Sequence, residues 1–72
     1  MKEFTICYTL ENDIKTEKII TGHEVNRREI MKRILYRIRN QEWFVVKNGE
    51  GTQKIDVRVV RYIRVVDEKI LA

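Results

Sequence analysis

Phe4, Ile6, Tyr8 and Leu10 alternate with Thr5, Cys7 and Thr9. A period of two, rich in β-branched and aromatic residues, predicts a half-buried strand. Glu11-Asn12-Asp13 then supplies turn chemistry, because Asn and Asp tolerate left-handed backbone. Lys15 to Thr21 reads as a second strand, so the chain opens with an antiparallel hairpin.

The pattern then changes period. Asn26 followed by Glu29 is a capping-box variant in which Asn replaces the usual Ser or Thr, with Val25 and Ile30 at the positions of a hydrophobic staple. Beyond it Ile30, Met31, Ile34, Leu35 and Ile38 recur at spacings of three and four. That spacing predicts an amphipathic helix of about four turns, starting at Asn26 and ending near Asn40.

Trp43-Phe44-Val45-Val46 is a short apolar run closed by Asn48-Gly49-Glu50-Gly51, whose Asn-Gly pair signals a hairpin. Ile55 to Val66 supplies the returning strand or strands. Arg58, Arg61 and Arg64 recur there every three residues, which a regular strand cannot place on one face. A bulge or tight turn near Val59-Val60 is therefore expected, and it would let all three arginines face one way. Asp67 to Ala72 reads as a frayed end or a short extra turn.

These elements make an α+β fold of ββαββ order: a small antiparallel sheet with one amphipathic helix packed on one face. At 72 residues the chain is expected to form a single domain over residues 1–72. At this size only about 60% of the unfolded surface is buried on folding. With 43% hydrophobic and 36% charged residues, the balance favours a folded globule over disorder. The apolar runs fall far below the roughly 18 residues of a membrane span, and Met1-Lys2-Glu3-Phe4 lacks the apolar region of a secretory signal. The expectation is a cytoplasmic protein with no membrane association.

Charge distribution changes the picture more than its +4 sum does. From Val25 to Arg64 there are eleven Lys and Arg against four Asp and Glu, and all eight arginines lie in that stretch. Arginine suits phosphate and carboxylate because its planar fork donates two parallel hydrogen bonds. The helix alone carries six cations between Arg27 and Arg39, offset only by Glu29. A merely solvated face usually mixes signs. Glu3, Glu11, Glu17 and Asp67 are the acids available to neutralise some of these arginines across the fold.

Candidate chemistry is sparse. One His, one Cys, no Gly-rich phosphate loop and no recognisable carboxylate pair argue against an enzyme. No cofactor and no metal are expected. His23 reads as a loop histidine, since a metal needs three or four ligands. Cys7 reads as a small packing residue on the strand face opposite Phe4 and Ile6. There is no aromatic RNP motif, zinc-ligand pair or helix-turn-helix spacing.

Two functional expectations follow. The first is a nucleic-acid-associated module in which Arg28, Lys32, Arg33, Arg37 and Arg39 of the helix and Arg58, Arg61 and Arg64 of the last strand contact phosphates. An acidic protein surface would satisfy the same charges. The second is a protein-interaction module acting through an exposed sheet face. Trp43 and Phe44 project to opposite sides of their strand, so one enters the core and the other is an interaction anchor. An uncovered face would also invite a homodimer.

Overall fold

A computed structural model describes residues 1–71. The elements run β1 (Lys2–Leu10), β2 (Ile14–Thr21), α1 (Arg27–Arg39), β3 (Trp43–Asn48), β4 (Gly51–Asp56), a 3-10 turn (Val57–Val59) and β5 (Val60–Ile70). The α+β class holds, with the helix on one face of an antiparallel sheet. Two details differ from the sequence-based expectation. The order has a fifth strand, ββαβββ, and the strands divide into a three-stranded sheet ordered β2-β1-β5 and a separate β3-β4 hairpin.

The division originates at residues 56–59. Asp56 Oδ1 accepts from Arg58 N at 2.9 Å and caps the 3-10 turn, while Val57 N donates to Glu42 O at 3.0 Å. This redirects the chain from the hairpin to the far edge of β1, where β5 pairs antiparallel from Val60 to Ile70. The anticipated irregularity is therefore present, as a turn plus two bulges. Leu10 faces Val60 and Thr9 faces Tyr62, leaving Arg61 as the extra residue; Val66 is the extra residue between Val65 and Asp67. The segment read as a frayed end is mostly strand, and Ala72 lies outside the described residues.

β1 occupies the centre of its sheet and sends Phe4, Ile6 and Tyr8 to one side. There they meet Ile30, Ile34 and Ile38 of α1, Phe44 and Val46 of β3 and Ile55 of β4 in one core. The helix thus buries a line of residues four apart, and Leu35, expected in the stripe, is exposed. Asn26 caps α1, its side chain accepting from Glu29 N at 2.9 Å, and Val25 is buried beside the helix start. The hairpin docks on β2 through Asn48 Nδ2, which donates to Thr16 O at 2.9 Å. In its turn the positive φ falls on Gly51 (109°), where a side chain would be strained.

Candidate nucleic-acid interface

The arginines singled out by sequence separate into bound and unbound groups. Arg37 is half-buried and engaged: its Nη2 donates to the Tyr8 hydroxyl at 3.0 Å and to Glu17 Oε1 at 3.1 Å, while Tyr8 OH donates to the same carboxylate oxygen at 2.6 Å. Its guanidinium carbon also lies 5.5 Å from the Phe44 ring centroid. Burial, then the bond to Glu17, pushes the Tyr8 hydroxyl pKa well above its ordinary value. Arg37 thus closes a network joining α1 to β1 and β2 through its Nη2, with its side chain still 39% exposed.

Arg58 and Arg61 are also engaged. Arg58 forks onto Asp56, with Nε to Oδ1 at 3.2 Å and Nη2 to Oδ2 at 2.8 Å. That side-chain pairing, with the backbone bond from Arg58 N, holds the Asp56 carboxyl down at about 2. Arg61 Nη2 lies 3.4 Å from Glu11 Oε1. Arg64 sits directly opposite Cys7, on the sheet face away from Phe4, Ile6, Tyr8 and the helix, and its guanidinium leans on the Tyr62 ring. Arg64 therefore does not join the helix cations, because the sheet stands between it and α1.

What remains is an uncompensated basic ridge on α1. Arg28, Lys32, Arg33 and Arg39 are exposed, and among the described residues none has a carboxylate within 4.0 Å. Arg27, by contrast, reaches Glu68 at 3.5 Å. At about 100° per residue, Arg28, Lys32 and Arg39 lie on the side of the helix opposite Ile30, Ile34 and Ile38. Tyr36, 70% exposed, stands on the same side between Lys32 and Arg39. Sequence reading passed over Tyr36; its spacing of four from Lys32 and three from Arg39 was the available signal.

Trp43 and Phe44 part as strand geometry requires: Phe44 is 4% exposed in the core, and Trp43 is 44% exposed. Of the two, Trp43 alone presents its ring to solvent. On the outward face of the hairpin, Trp43 pairs with Asp56 and Val45 with Lys54, and Lys54 Nζ hangs 4.2 Å over the Trp43 ring. Gln41, Glu42, Trp43, Lys54, Asp56 and Arg58 line an open cleft of about 570 Å³.

His23 and Cys7 stay outside these surfaces. His23 Nε2 lies 2.6 Å from the Met1 amino group. Cys7 is buried on the outer sheet face between Thr16 and Arg64. Among the described residues no group of three His, Cys, Asp or Glu side chains is placed to hold a metal, and no helix is long and apolar enough to cross a membrane. Compared with protein families, with curated proteins and with solved structures, the chain matches none.

Proposed function

We propose that this domain is a non-enzymatic binding module that docks on the phosphate backbone of nucleic acid through the exposed side of α1, with Arg28, Lys32 and Arg39 on its outward face and Arg33 on the flank toward β2 as the contacting cations. The observation that carries this reading is selective neutralisation. Arg27, Arg37, Arg58 and Arg61 each have a carboxylate partner; of the cations without one among the described residues, Arg28, Lys32, Arg33 and Arg39 share one short helix, whereas Lys47, Lys54, Arg64 and Lys69 are spread over the strands. Unpaired like charges at i and i+4, as in Arg28 and Lys32, slightly destabilise a helix. Polyanion binding would turn that repulsion into attraction.

Affinity for a labelled oligonucleotide, measured across salt concentrations, tests the reading. Four neutralised phosphates give a slope of log K against log salt of roughly −3 on a single strand. An affinity indifferent to salt would exclude the mechanism.

A second reading rests on a different surface. Ile14, Ile20 and Tyr62 are exposed on the sheet face away from the helix, opposite Thr9, Glu3 and Thr9 respectively. Association of two copies through that face would bury them. Sedimentation of the wild type and of Ile20→Glu separates the two readings: a mass that stays monomeric with rising concentration removes the dimer.

A further inference from the structure

We propose that the cleft beside Trp43 is a base-stacking subsite, which makes single-stranded rather than duplex nucleic acid the ligand; this rests on the helix reading above and specifies its substrate.

Three observations converge on it. Trp43 is the one large aromatic on the outward face of the hairpin, and its ring borders an open cleft of about 570 Å³, within the range of small-molecule sites. At its rim, Lys54 has no carboxylate within 4.0 Å among the described residues, and Lys47, also unpaired, lies farther along the same outward side of β3. Asp56, the acid paired opposite Trp43, is already neutralised by the Arg58 fork. Glu42 is the remaining carboxylate at the rim. The cleft therefore supplies a stacking surface, with phosphate attraction coming from Lys54 beside it and from Arg39.

The chain connects the two surfaces directly. Arg39 ends α1, and Gln41 and Glu42 line the cleft before Trp43 begins β3. Four residues span at most roughly 14 Å, so the cleft lies within that distance of the end of the basic ridge. A flexible single strand can follow the ridge and turn a base onto the indole, whereas a duplex keeps its bases stacked inside.

Lys54 over the indole face is the obvious competitor. An exposed cation–π contact contributes about 0.5–1 kcal/mol, and base–aromatic stacking about 1–3 kcal/mol. The base displaces the ammonium, which is then free to meet the adjoining phosphate.

Trp43 is the only tryptophan in the chain, so its fluorescence reports on this site alone. The experiment titrates an unlabelled single-stranded 15-mer and the matching duplex into the protein. The same ligands, end-labelled, are followed by anisotropy against wild type, Trp43→Ala, Trp43→Phe and Lys32→Ala, with circular dichroism confirming the fold of each variant. Expected are quenching by the single strand but not the duplex, a roughly five- to hundredfold loss of single-strand affinity in Trp43→Ala, and recovery of most of it in Trp43→Phe. Salt-dependent binding with no quenching and no effect of Trp43→Ala overturns the subsite and leaves the helix reading standing. Quenching with full affinity in Lys32→Ala supports the subsite and overturns the helix reading. Absence of any binding overturns both.

Discussion

Arg37 Nη2 lies 3.1 Å from Glu17 Oε1, an ion pair joining α1 to β2 with the Glu17 side chain only 10% exposed. The most basic element of the chain is thus tied to the sheet by one of its own candidate binding residues. Removing the guanidinium leaves a nearly buried carboxylate with the Tyr8 hydroxyl as its remaining partner. Arg37→Ala should cost about 2–3 kcal/mol, short of the figures for fully enclosed pairs because the Arg37 side chain stays 39% exposed. Urea denaturation measures it, and a shift under about 0.5 kcal/mol would show that the network does not hold the helix.

Tyr8 makes the fold sensitive to alkali. Its folded pKa is raised above the ordinary 10.0, first by burial and then by the bond to Glu17, so the folded state holds this proton more tightly than the unfolded chain does. The resulting stabilisation is complete below pH 10 and declines as pH rises beyond it. Tyr8→Phe should flatten that decline; denaturation midpoints for both proteins between pH 8 and roughly 11 show whether it does.

Asp56 behaves in the opposite sense. Its carboxyl, held at about 2 by Arg58 against an ordinary 3.8, favours the folded state above 3.8 and loses that contribution as pH falls toward 2. In Arg58→Ala the titration midpoint of Asp56, followed by NMR, should move up toward 3.8. Recovery is partial, because the backbone bond to Oδ1 at 2.9 Å remains.

Adjacent aromatics should respond very differently to truncation. Phe44→Ala empties a core position that contacts Tyr8 with ring centroids 5.1 Å apart, and should cost about 3–5 kcal/mol. Trp43→Ala, at a residue 44% exposed, loses its contact with Lys54 and part of its apolar burial and should cost about 1–2 kcal/mol. Thermal melts of the two variants check the contrast; equal losses would mean that Trp43 is a core residue.

Position relative to the sheet decides which cations matter for a polyanion. Lys32→Ala should lower affinity and reduce the salt slope by about one, whereas Arg64→Ala, on the far face, should leave the slope unchanged. Equal slopes in the two variants would contradict binding through α1.

Local structure was legible because it is encoded by neighbours in the chain. The alternation Phe4-Ile6-Tyr8 produced β1, and Asn26 with Glu29 marked the start of α1. The three-residue spacing of Arg58, Arg61 and Arg64 required a break that exists as the 3-10 turn and the Arg61 bulge. The apolar stripe is narrower than its period implies, since Leu35 satisfies the period yet is exposed.

The period of each element, its caps and turns, and the concentration of arginine in the middle of the chain are all written in the order of residues. Which charges stay unpaired depends on how the elements come together in space. Glu17 meets Arg37 twenty residues away, and β5 returns to β1 across the whole chain, placing Arg64 behind the sheet. Ion pairing and facing depend on distances in space between segments far apart in sequence, and no local period encodes those distances.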